Sequence, residues 1–262
     1  MARTFVTAST QYFEISSCLV SVNGAYSMAC WFNRAATSNN AMISFGDSTG
    51  GVNDRITLFC GAPAAYNLVF QVFSSGASDN ATTSTGHTEG AWYHAAAVQT
   101  SSSSRAVFLN GGGKGTSSTS KTVGTLNRTN LGIRWSGGTR GSAYGGQLAE
   151  VGIWNTNLTD SEVAVLAAGY CPLFVRPSNL LGYWPLFARA TNEEQWVGAD
   201  AFVPGNSPTA SNHPSRIIYP SRRRRIYIPA AATAPLRFNS SLNGLGGSGP
   251  FFHDRLAAGA CK

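Results

Sequence analysis

WYHAAAVQTSSSSRAVFLNG, residues 92–111, holds two apolar runs on either side of a short polar stretch. The runs are WYHAAAVQ (92–99) and RAVFLN (105–110), and the join TSSSS is too short for anything but a reversal. They read as neighbouring antiparallel strands, and the glycines of GGGKG (111–115) end the hairpin. Along such a strand Trp92 and His94 share one side and Tyr93 takes the other. His94 is expected to be packed, its ring satisfied by a backbone or hydroxyl group.

Working outward, the same alternation recurs in YFEI (12–15), YSMACWF (26–32), AMISF (41–45), RITLFC (55–60) and NLVFQVF (67–73). All are rich in β-branched or aromatic residues and bounded by Gly, Asn, Ser or Pro, so they read as strands. The stretch 74–90 is polar and reads as a loop. Downstream, NLGIRW (130–135) and GQLAEVGIW (146–154) add strands. A single helix follows in LTDSEVAVLAAGY. Thr159 is its N-cap, Glu162 completes a capping box, Val163 and Leu166 form its apolar stripe, and Gly169 and Pro172 stop it. Many strands and one short helix predict an all-β sandwich of two antiparallel sheets. Trp92, Val98, Phe108, Leu148 and Trp154 are expected in one core, with Trp31 and Trp184 also buried.

Charged residues make up only 12% of the chain, against 43% hydrophobic, so this is a globular chain with a polar, weakly charged surface. The net charge of +7 is unevenly placed: residues 220–262 hold seven Lys+Arg against one Asp+Glu. No apolar run reaches the roughly 18 residues of a membrane span, and the alternating N-terminus does not read as a signal peptide. Synthesis in a cytoplasm is the expectation. Five widely spaced cysteines, Cys18, Cys30, Cys60, Cys171 and Cys261, suit free thiols better than a disulfide framework or a zinc site.

The Trp92-x-His94 strand, the Asn110-Gly111 close, the strand GQLAEVGIWN with Glu150, Trp154 and Asn155, and Leu158 with Glu162 resemble the concanavalin A-like, laminin-G-like jelly-roll family. The resemblance covers about residues 1–190 and implies a jelly roll serving as lectin, enzyme or passive module. The continuation GYCPLFVRPSNLLGYWPL (169–186) resembles modules of bacteriophage virion proteins. The implied division is a jelly roll at 1–190, an extension packed on it at 191–219, and an extended basic arm at 220–262.

Hydrolysis on a jelly roll needs two acids facing each other, and no run of acids at alternate positions occurs; Glu150 stands alone, and Glu193 and Glu194 lie in a polar stretch. No nucleophile elbow or phosphate loop is present. The chain is therefore expected to be no enzyme and to need no cofactor or metal, although Asp47, Ser48, Asn53 and Asp54 make loop 46–54 a possible calcium loop. Trp135 and Tyr144, flanking SGGTRGSAYGG, are the candidate glycan-stacking pair. Arg222, Arg223, Arg224 and Arg225, followed by Ile226, Tyr227 and Ile228, are the candidate partner-binding segment, with arginines pairing to carboxylates beside a short apolar strand. The leading expectation is a structural or decoration protein of a bacteriophage particle, made in the host cytoplasm. Its expected partners are capsid or fibre proteins and further copies of itself, with no membrane and no nucleic acid. The alternative is a lectin-like module that binds a surface glycan.

Overall fold

In the computed structural model, which describes residues 1–35, 40–50, 53–61, 66–198 and 200–220, the segment at 92–111 forms its hairpin around Ser102 and Ser103. In chain order the strands are β1 (Ala2–Phe5), β2 (Tyr12–Ile15), β3 (Tyr26–Arg34), β4 (Asn40–Gly46), β5 (Arg55–Cys60), β6 (Asn67–Ser74), β7 (Ala77–Gly86), β8 (Trp92–Ser101) and β9 (Ser104–Leu109). They continue as β10 (Gly112–Ser117), β11 (Arg128–Leu131), β12 (Arg134–Ser136), β13 (Thr139–Gly141), β14 (Gly146–Trp154), β15 (Leu180–Trp184), β16 (Val203–Gly205) and β17 (Thr209–Ser211). The helix α1 (Asp160–Ala167) sits between β14 and β15.

One sheet runs β10-β9-β8-β3-β14-β1-β17, with β15 also on β14. The other runs β16-β2-β11-β4-β5-β6-β7, and β12 and β13 make a separate small hairpin. The pairings are antiparallel, and the whole is the expected two-sheet jelly-roll sandwich with one helix. Residues after 190 supply edge strands to both sheets: β17 pairs with β1 and β16 with β2.

Alternation places Met28, Cys30 and Phe32 of β3 and Ala95 and Ala97 of β8 against Phe45, Leu58, Phe70 and Val72 of the second sheet. The opposite side of the first sheet is also covered. There Ala96, Val98, Phe108 and Trp154 pack with Val163 and Leu166 of α1 and with Tyr183. The five residues expected in one core therefore divide: Leu148 lies between the sheets, Val98, Phe108 and Trp154 lie under the helix, and Trp92 is half-buried in neither cluster. Trp154 and Trp184 are buried as expected, whereas Trp31 is half-buried like Trp92. Both halves of the capping box form, with Glu162 N donating to Thr159 Oγ1 (3.3 Å) and Thr159 N to Glu162 Oε2 (2.8 Å).

Three local expectations change. GGGKG does not end the hairpin: Asn110 (φ 51) and Gly111 (φ 74) form a two-residue turn, and Gly112–Ser117 pairs back on β9. A Cβ on Gly111 would lie 2.9 Å from Ala164 Cα, so the turn needs glycine to seat against α1. The polar stretch 74–90 contains β7, with Ala81 and Thr83 buried and their neighbours exposed; its Ser, Thr and Asn composition hides an edge strand. NLGIRW is broken after Leu131, where the chain leaves the second sheet before β12 starts at Arg134.

His94 is 2% exposed, yet its Nδ1 has no partner among the described residues, so the expected hydrogen bond is absent. Burial beside Trp31 pushes its pKa down to about 3, which keeps the ring neutral. Asn110 bonds the strand backbone instead: its Oδ1 accepts from His94 N at 2.8 Å. Cys18, Cys30, Cys60 and Cys171 are unpaired thiols; Cys261 lies outside the described residues.

A bulge in β14 turns the isolated acid of that strand away from the inter-sheet core. The register with β3 shifts between Ala149 and Gly152, and Glu150 takes φ 55. Glu150 accepts from Tyr183 OH (2.5 Å) and Tyr219 OH (2.7 Å), and His213 Nε2 stands 2.9 Å from it. Beside it, Ile218 N donates to Gly169 O (2.7 Å) and Cys171 N to Ile218 O (3.1 Å), a short parallel bridge. Glu193, expected in a polar stretch, is buried and paired with Arg3 of β1.

Candidate functional site

The unclaimed chemistry of this fold lies on the outer face of the second sheet. Ile56 and Leu58 of β5 and Phe70 and Val72 of β6 turn into the core, so period-two geometry turns Arg55, Thr57, Phe59, Gln71 and Phe73 outward. Over the middle of that face folds the β12–β13 hairpin. Trp135 sits so close to β4 that a Cβ on Gly46 would lie 2.8 Å from the Trp135 Cβ, which explains the glycine there. Ser136 Oγ donates to Asn53 Oδ1 (2.7 Å), Trp135 Nε1 to Glu14 Oε2 (2.7 Å), and Arg134 Nη1 to Gln71 Oε1 (3.4 Å). The hairpin thus divides the face into two recesses.

The recess beside β2 holds about 350 Å³ and is walled by Tyr12, Glu14, Asp200 and Val203. The Arg140 guanidinium stacks 4.4 Å from the Tyr12 ring centre and 4.2 Å from that of Trp135. Glu14 neutralises this side: Arg140 Nη2 donates to both its oxygens at 3.3 Å, and Arg128 Nε stands 3.3 Å from Oε1.

The recess over β5 and β6 holds about 250 Å³. Arg55 lies 3.8 Å above the Phe73 ring and donates only to neutral groups, Asn53 O (3.0 Å) and Asn53 Oδ1 (2.9 Å). Arg55 Nε, Arg134 Nε and Thr57 Oγ1 are buried with no partner among the described residues. Burial, and then the neighbouring Arg134, pull the Arg55 pKa down to about 10, against a smaller opposing pull from Asp54; burial also lowers that of Arg134.

Of the expected glycan pair, Trp135 is half-buried and bonded to Glu14, but Tyr144 is fully buried. The chain dives inward after β13: Tyr144 N donates to Gly132 O, and the ring meets Phe5 edge-on at 6.1 Å. Arg140 and Glu14, not Tyr144, are the partners of Trp135. In the 46–54 loop Asp47 Oδ1 accepts from Thr49 N (2.9 Å) and Asn127 Nδ2 (2.9 Å), while Asp54 Oδ2 accepts from Ser74 Oγ (3.2 Å) and Gly124 N (2.8 Å). The two carboxylates serve different contacts, and no metal-holding cluster forms among the described residues. Arg222, Arg223, Arg224, Arg225, Ile226, Tyr227 and Ile228 lie outside the described residues. Sequence reasoning missed Tyr12, Glu14, Arg55, Thr57, Arg134 and Arg140. Polar residues at alternate places in RITLFC and NLVFQVF were the available signal.

The two-sheet antiparallel sandwich, with polar and aromatic recesses on one sheet face, defines the class of fold. The chain belongs to the concanavalin A-like lectin/glucanases superfamily, whose laminin-G-type profile matches residues 7–164. Similar solved structures include a heptameric SAP-like pentraxin from Limulus polyphemus, with TM-score 0.58, 14% identity, and coverage of 83% of this chain and 97% of that one. A putative carbohydrate binding protein from Bacteroides ovatus gives TM-score 0.59 at 14% identity, covering 83% of this chain and 61% of that one. The NanB sialidase from Streptococcus pneumoniae gives 0.52 at 14%, covering 62% of this chain and 27% of that one. At such identities the likeness is one of fold. No curated protein matches by sequence.

Proposed function

We propose that this protein is a non-catalytic, lectin-like module that holds a glycan against the outer face of its second sheet. One observation carries the reading: the β5–β6 recess combines aromatic walls with buried hydrogen-bonding groups that have no partner among the described residues. Polar side chains and aromatic rings lining one recess together suit a polar, ring-shaped ligand. Family membership and the fold of the Bacteroides ovatus protein support it. The acids do not favour hydrolysis: Glu150 is held by two tyrosines, Glu193 by Arg3, and Glu14 by Trp135 and Arg140. The test is affinity electrophoresis of the full chain against a polysaccharide panel, with and without a chelator. Retardation that is indifferent to chelator and weakened by Thr57→Val is expected. Free migration through every polysaccharide sinks the reading.

The charge of residues 220–262 favours a second reading, a module docked on a bacteriophage particle through its arm. Its test is stoichiometric co-purification with intact particles that is lost on deleting residues 220–262. Co-purification that survives the deletion overturns it.

A further inference from the structure

We infer that the β5–β6 recess takes an acidic sugar, a single pyranose unit whose carboxylate sits between Arg55 and Arg134. The inference rests on the glycan reading and adds the charge of the ligand. Two guanidiniums face one small recess, and among the described residues neither has a carboxylate partner: the ion pairs of this fold involve Arg3, Arg105, Lys114, Arg128, Arg140, Arg176 and His213. Of the residues outside the described ones, 36–39, 51–52, 62–65 and 199 contain no acid, and 221–262 contain one, Asp254. The nearest acid in sequence, Asp54, is engaged by Ser74 Oγ, Ser75 N and Gly124 N.

Two like charges so placed are disfavoured unless something negative joins them, and burial adds to that cost. Arginine cannot escape by losing its proton at ordinary pH. An oxyanion in the recess relieves both problems, since the guanidiniums of Arg55 and Arg134 line it and a negative charge between them lowers their mutual repulsion. The flat fork of a guanidinium matches a carboxylate. Gln71 and Ser78 add polar side chains to the lining, and Phe59 supplies an apolar wall for the C–H face of the sugar. About 250 Å³ is smaller than the roughly 300–1,000 Å³ of a drug-sized pocket and suits one ring rather than a chain segment.

The experiment is titration calorimetry of the full chain with oligogalacturonate and oligomannuronate, their methyl esters, and sulfated dextran oligomers. Arg55→Gln and Arg134→Gln are compared with a variant carrying Gln at all of Arg222, Arg223, Arg224 and Arg225, which controls for capture by the arm. Thermal melting confirms that each variant is folded. At least one uronate should bind about tenfold or more tighter than its ester. That preference should vanish in either recess variant and survive in the arm variant. Equal affinity for acid and ester overturns the acidic-sugar assignment and leaves the glycan reading intact, as does binding of neutral polysaccharides alone. Loss of uronate binding in the arm variant only, or sulfated dextran bound as tightly as the uronates, also overturns the assignment. Failure to bind any sugar, charged or neutral, removes the glycan reading itself.

Discussion

The two recesses of the second sheet differ in whether the arginines beside them have an acid as partner. Beside β2, Arg128 and Arg140 gather around Glu14, with Tyr12 and Trp135 stacked on the cation. Over β5 and β6, Arg55 and Arg134 form no ion pair among the described residues, with Phe73 beneath Arg55. An arginine satisfied by an internal acid is structural glue for the hairpin. Arg55, buried and stacked on Phe73, and the half-buried Arg134 have no such acid among the described residues. The buried histidines show the third solution. His87 and His94 are buried, His87 with both ring nitrogens and His94 with Nδ1 unpartnered among the described residues, and they avoid the cost by staying neutral.

The sharpest way to probe the contrast is to strip the acid from a buried pair. Glu193→Ala leaves Arg3 buried without its carboxylate, and a loss of roughly 3–5 kcal/mol in urea unfolding is expected. A change below about 1 kcal/mol would mean that unpaired arginines cost little in this fold, which dissolves the comparison. The histidines come next. Their folded pKa values, about 4 for His87 and about 3 for His94, lie below the ordinary value of 6.5. The unfolded chain therefore binds more protons below pH 6.5. The stability is fully present above pH 6.5 and drains as pH falls toward 4 and then 3, by up to about 2.7 kcal/mol per pH unit for the two rings together. Stability measured across pH 3–8 should show that limb, and His87→Phe with His94→Leu should flatten it.

Glu14→Gln removes the charge that joins Arg128 and Arg140 and weakens the Trp135 contact. A destabilisation of about 1–2 kcal/mol is expected, with increased Trp135 fluorescence change on adding salt. Arg134→Gln on the other side of the hairpin is expected to be within about 0.5 kcal/mol of neutral or slightly stabilising in the same melts, because it removes a desolvated, unpaired charge. Clear destabilisation by Arg134→Gln would erase the distinction between the two recesses.

Much of the fold was written in local pattern. The alternation of β3, β5, β6 and β8, the serine turn and the Thr159–Glu162 box each follow from a few neighbouring residues. β7 was not legible, because a polar edge strand is stabilised by pairing with β6 rather than by any apolar signal of its own. The division of the core was hidden by the Glu150 bulge, which shifts inward parity from Leu148 to Val151 and Ile153. The site was half legible. Trp135 stood out as an aromatic at a loop, but its neighbours come from β2 and β13, far apart in sequence. Arg55 and Thr57 looked like ordinary outward positions, and only the hairpin folded over them makes them buried.

The parallel bridge between Tyr170 and Ile218 gives the module a mechanical character. Tension applied at residue 220 would run along that bridge, so its two backbone hydrogen bonds would be strained together in shear rather than peeled one by one. Tyr219 adds a third fastening to the carboxylate of Glu150, on the strand at the centre of the first sheet. A pull at residue 220 is thereby delivered to the first sheet, on the opposite side of the sandwich from the two recesses.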